Sequence, residues 1–195
     1  MSFLPIAGEG FIIRNLDLCI AISATSRMAD TNFANIKTVI KQIVKKYGQG
    51  KVRYSLIVFG DSATIKISFT ENYSDNQLKN LIEATPKSSG GPFLDKALAK
   101  AKEMFDQNTR RDSRKVLVVF IDKTSASQPN EEKIKLDAIT EDKIHSLFVL
   151  WGIKSVNTAS NLAPSNNILS IDTAVTTPNP SSTAENVMHK VNTGR

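Results

Sequence analysis

The chain has 195 residues, 41% hydrophobic and 23% charged, the proportions of a globular domain large enough to bury a core without cross-links. A formal net charge of +6 permits contact with polyanions without demanding it. No apolar run approaches the roughly 18 residues of a membrane span, and the single cysteine, Cys19, excludes an intrachain disulfide.

Strand and helix patterns alternate along the chain. Leu16 to Ile22 is a near-continuous apolar run, as expected of a strand covered on both faces, and Cys19 within it reads as a buried thiol. A helix follows, with Asp30, Thr31 or Asn32 as candidate caps and Gly48 as its stop. Phe33, Ile36, Ile40, Ile43, Val44 and Tyr47 form its apolar stripe, and Lys37, Lys41 and Lys45 form a basic one. Val52 to Phe59 predicts the second strand. The turn Gly60-Asp61-Ser62 then leads into Ala63 to Phe69, where Ile65, Ile67 and Phe69 alternate with polar residues. Two strands this close must form a hairpin, so the second is antiparallel and placed at an edge.

Helical spacing returns over Ser74 to Ala84 and Phe93 to Phe105. Val116 to Ile121 is another apolar strand, Glu131 to Lys143 a helix with a weak stripe, and Ile144 to Trp151 a further buried strand. Ile168 to Ile171 is a short last strand. Ser182-Thr183-Ala184-Glu185 has the form of a capping box opening a terminal helix. The pattern predicts one α/β domain over 1–195, with its core at about 14–192. Its fold is doubly wound: a mostly parallel six-stranded sheet with one antiparallel edge strand and helices on both faces.

In such a sheet ligands bind beyond the carboxyl ends of the strands, where the winding reverses. With the first strand central, that place holds Ser23-Ala24-Thr25-Ser26-Arg27 and Asp122-Lys123-Thr124, with Ser88-Ser89-Gly90-Gly91-Pro92-Phe93 closing over it. Residues 16–27, 52–60, 90–98 and 116–122 resemble, in order, the conserved segments of von Willebrand factor A domains, which are Rossmann-like. That resemblance implies a site for Mg²⁺ or Mn²⁺ built from an Asp, two Ser, a Thr and a second Asp. Carried onto this chain, the first Asp becomes Ser23, the two Ser become Thr25 and Arg27, the Thr falls among Pro92 to Leu94, and only Asp122 remains. The expectation is a degenerate adhesion site (Ser23, Thr25, Arg27, Asp122) with no metal and no other cofactor. In it the Arg27 guanidinium would stand over Asp122 in place of the ion.

The resemblance further implies a non-enzymatic, protein-binding module of an extracellular matrix or adhesion protein, with collagen or another matrix protein as ligand. The N-terminus lacks the features of a secretory signal. The chain is therefore read as a domain cut from a longer secreted protein, or else as an intracellular scaffold domain of the same type. Lys37, Lys41 and Lys45, and Arg110, Arg111 and Arg114, form two basic clusters that suit a glycosaminoglycan. No aromatics are interleaved with them, so nucleic acid is not expected. Gly48-Gln49-Gly50-Lys51 lacks the spacing of a phosphate loop, and there is no Gly-x-Ser-x-Gly elbow. His145 and His189 have no catalytic partner nearby in sequence. Asn72-Tyr73-Ser74 is the only glycosylation sequon.

Overall fold

The computed structural model describes residues 15–26, 28–48, 50–108, 110, 112–122, 129–152, 163–173 and 178–194. The strands are β1 (Leu16–Ser23), β2 (Val52–Phe59), β3 (Ala63–Ile67), β4 (Arg114–Ile121), β5 (His145–Trp151) and β6 (Ile168–Ile171). The helices are α1 (Asp30–Tyr47), α2 (Asp75–Ala84), α3 (Leu94–Asn108), α4 (Pro129–Glu141) and α5 (Pro180–Thr193).

The strands form one sheet in the order β3-β2-β1-β4-β5-β6, in which only the β2–β3 pair is antiparallel. The unbroken apolar runs have the expected consequence: β1 is buried at all eight residues, and β4 and β5 over most of their length. Alternate β1 side chains feed two separate cores. Leu16, Leu18, Ile20 and Ile22 pack with α1, α2 and α5, whereas Cys19 and Ala21 pack with α3 and α4. Phe120 and Trp151 meet in the first core with ring centroids 6.4 Å apart, and Phe69 and Phe105 meet in the second at 5.5 Å.

Three local expectations are corrected. Ile65 and Ile67 alternate cleanly in sequence, but the pairing shifts between Leu56, opposite Ile67, and Ile57, opposite Ile65. The extra residue sends Ile67 into the first core and leaves Ile65 against the second, as a β-bulge does. The cap of helix α1 lies one residue before the expected candidates. Ala29 occupies the cap position without a side-chain bond, and Asp30 is already helical, paired with Lys87 at 2.5 Å. Helix α5 starts at Pro180 under the Asn179 side chain, which accepts the backbone N–H groups of Ser181 and Ser182. Thr183 and Ala184, read as part of a capping box, are instead buried inside that helix.

The weak stripe of α4 is also real. Ile139 is buried, while Ile134 stands 65% exposed. Helix α2, by contrast, has a full capping box. Ser74 Oγ accepts the Gln77 N–H, and Gln77 Oε1 accepts the Ser74 N–H at 2.8 Å. Replacing Ser74 by Ala is expected to lower the unfolding free energy by about 1 kcal/mol, and Ser74→Thr to stay near the parent. Urea midpoints at constant slope would read both.

Candidate functional site

The chain leaves β1 toward β2 on one side and later returns to β4 on the other, so the switch point lies between the loops that follow β1 and β4. Two of the expected site residues are fully packed there: Ser23, the last residue of β1, and Thr25 have almost no solvent exposure. Across the crevice, Ser23 Oγ donates a long hydrogen bond of 3.4 Å to Asp122 Oδ1, just past the end of β4. The structure thus brings Ser23 and Asp122 together, with Thr25 buried two residues after Ser23. Arg27, Lys123 and Thr124 lie outside the described residues, and so does Arg111 of the second basic cluster.

The third loop does close over this spot, and its fastenings can be named. Ser88 N–H donates to Ala24 O at 2.5 Å, while Asp61 N–H donates to Ser89 O at 3.0 Å. Asp61 Oδ1 in turn accepts the Gly91 N–H at 2.9 Å, and Lys87 Nζ donates to Met28 O at 3.0 Å. Gly90 has a φ of 76°, and a Cβ there would collide with the Asp61 carboxylate. In the sequence Asp61 is only a turn residue. The Gly90-Gly91 pair downstream was the one hint that a backbone must approach closely here.

A hard divalent ion needs several oxygen ligands with carboxylates among them. The described crevice offers one carboxylate, Asp122, and two buried hydroxyls, and Pro92, Phe93 and Leu94 bring no hydroxyl from the third loop. That donor set does not fit a tight Mg²⁺ or Mn²⁺ site. Nor do three or more His, Cys, Asp or Glu side chains converge elsewhere among the described residues. Burial pushes the Cys19 thiol up to about 12, against a smaller opposing effect from Ser55, so it supplies no thiolate nucleophile at neutral pH.

The sequence profile of the von Willebrand factor type A domain matches residues 17–175. The chain belongs to that family. Among curated proteins, the mouse collagen alpha-4(VI) chain is 25% identical over 130 residues, covering 63% of this chain and 6% of the collagen. Among solved structures, proximal thread matrix protein 1 from the mussel byssus superposes with a TM-score of 0.74 at 17% identity, over 92% of this chain and 45% of its own. A second structure of that mussel protein carries zinc in its metal-ion-dependent adhesion motif. An aerotolerance-related membrane protein from Bacteroides fragilis gives a TM-score of 0.69 at 13% identity, over 91% of this chain and 98% of that one. The chain therefore spans a small part of the collagen and less than half of the mussel protein. At these identities the structural likenesses speak for the fold alone. No helix among the described residues is long and apolar enough to cross a membrane.

At the opposite end of this von Willebrand factor A domain, the expected basic surface is partly drawn inward. Asp17, 0% exposed, receives Arg53 through two bonds of 2.8 and 2.9 Å, Arg110 through its side chain and backbone at 3.1 Å, and the Ser113 hydroxyl at 2.5 Å. Arg114 donates to the carbonyls of Asn192 and Gly194 at the end of α5. Lys37 and Lys41 both reach Glu83 on α2. Of the six residues read as a basic surface, Lys45 alone is both exposed and without a partner among the described residues.

Sequence reading passed over Asp17, although a lone carboxylate in an apolar run is itself a sign of buried pairing. Desolvation pushes its pKa up, but the bonds from Arg53, Ser113 and Arg110 outweigh this and hold it below the ordinary 3.8. A carboxylate whose folded pKa lies below its unfolded one adds stability above the unfolded value, and that stability is lost as pH falls through the folded value. Asp17→Asn is expected to cost about 3 kcal/mol at neutral pH by leaving two arginines uncompensated. The gap to the parent should narrow as pH drops below 3.8. Urea unfolding of both proteins across acid pH checks this, and a gap independent of pH would contradict it.

Proposed function

We propose that this domain is a non-enzymatic protein-binding module of the extracellular matrix. In this reading it engages collagen or another matrix protein through the crevice at the carboxyl ends of β1 and β4, without an essential divalent ion. The observation that carries the proposal is the donor set at that crevice. Ser23 stands where the family's metal-binding Asp would, and its hydroxyl points at Asp122. The similar proteins support the matrix setting, since one is a collagen chain and another a byssal matrix protein.

A crevice without the ion must hold its ligand by its own hydrogen-bonding groups and by the backbone of the fastened third loop. Because that loop is already tied to Ala24, Met28 and Asp61, ligand binding requires little ordering of the protein.

The first test is thermal unfolding in millimolar Mg²⁺ or Mn²⁺ against EDTA, together with binding to immobilised collagen under the same conditions. A ligand held only by the native state must raise the melting temperature. The expected result is no shift and equal collagen binding in both buffers; a clear shift, or binding lost in EDTA, would sink the metal-free reading. In the double variant Ser23→Asp with Arg27→Ser, a Mg²⁺-dependent rise in melting temperature is expected where the parent has none.

A second ligand class, sulfated glycosaminoglycan, is favoured by the lysines left unpaired among the described residues where the parallel strands begin: Lys51 and Lys143, with Lys45 at the end of α1. Retention on heparin should fall in salt steps as these are changed to Glu, and unchanged retention would remove that class.

A further inference from the structure

The sequon Asn72-Tyr73-Ser74 occupies the irregular link between β3 and α2 and has no part in the crevice. The side chain of Tyr73 turns inward: its ring packs against the first core and its hydroxyl bonds the Glu71 carboxylate. Its neighbour Asn72 is exposed, and the Asn72 amide has no hydrogen-bond partner among the described residues. Ser74, the hydroxyl residue at the third position, is extended with φ −73° and ψ 160°. Neither Tyr73 nor the following Asp75 is proline. The chain contains one near-match, Asn179-Pro180-Ser181, which fails on both counts that Asn72 meets. Proline fills its middle position, and the Asn179 side chain is committed to capping α5.

We infer that Asn72 is an N-glycosylation site of this domain, an inference that rests on the extracellular placement proposed above. The new bond joins Asn72 Nδ2 to the anomeric carbon of an oligosaccharide carried on a polyisoprenyl diphosphate. The bond from that carbon to the diphosphate oxygen breaks, the lipid diphosphate leaves, and the amide gives up one proton to base. No oxidation or reduction is involved.

The fold sets what the glycan can do. Because β3 runs antiparallel to β2, the link after it lies at the end of the sheet where the parallel strands begin, and Arg53 reaches across to the Phe69 carbonyl there at 3.4 Å. Ser23 and Asp122 are at the other end of β1 and β4. A glycan on Asn72 therefore leaves the crevice open. It stands beside β3, whose outer edge has no strand partner in the sheet, and shields that edge from pairing with other chains.

Ser74 has two duties, as sequon residue and as cap of α2, so the variants must separate them. The experiment sends the chain through the secretory pathway of mammalian cells behind a cleavable signal peptide, which tests the site itself rather than the native location. The expected result is a secreted parent whose slower gel mobility is reversed by peptide N-glycosidase F, with Asn72 converted to Asp in the released peptide. Asn72→Gln should lose the shift without losing thermal stability when made in bacteria, and Ser74→Thr should keep both the shift and the cap. Should the chain be retained in the cell, the same digestion on the microsomal fraction reads the transfer before export. An unmodified Asn72 in either fraction, or a shift that survives in Asn72→Gln, overturns the inference. Collagen binding by the same protein reports on the matrix reading separately, so either proposal can fail alone.

Discussion

Burying β1 along all eight of its residues, between two parallel neighbours and two helical layers, leaves its polar groups no water to bond. Its two polar side chains lie near opposite ends, and each is met by groups distant in sequence. Asp17 draws in Arg53, Arg110 and Ser113, and Ser23 turns to Asp122. The first set ties the starts of β1, β2 and β4 to the end of α3, through the further bond from Arg53 to the Asn108 carbonyl at 2.7 Å. The second set defines the crevice.

The two ends of the sheet differ in electrostatic character for the same reason. Helix carboxyl ends and strand starts share one end, and cations gather there to meet exposed carbonyls, as Arg114 does for α5. Much of what a charge count reads as a basic surface is therefore internal structure, held by Asp17 or by backbone oxygens. The opposite end, where strands finish and helices begin, carries the loops with hydroxyls, glycines and Asp122. Backbone hydrogen bonds tie these loops to one another, with Asp61 as the shared anchor.

Two glycines show how narrowly the third loop is set. Gly60 and Gly90 face each other's strands of chain so closely that a side chain on Gly60 would meet Ser88 and Ser89, and one on Gly90 would meet Asp61. The loop thus lies over the switch point, fastened to Ala24 and Asp61.

The order of elements, the antiparallel hairpin and the central place of the first strand were legible in the sequence. Runs such as Leu16 to Ile22 and Val116 to Ile121 report burial on both faces, a property of local composition. The meeting of Ser23 and Asp122 was legible for the same reason, because they follow the ends of those runs. The sequence could not reveal the bulge that splits Ile65 from Ile67, the caps supplied by Asn179 and the unassisted Ala29, or the partners of Asp17 and Asp61. The partners of the Asp17 and Asp61 carboxylates arrive from 30 to 96 positions away, and periodicity holds no information about such meetings. Local pattern fixed what is buried; only the tertiary structure decided which cations the buried carboxylate would claim and which were left to face solvent.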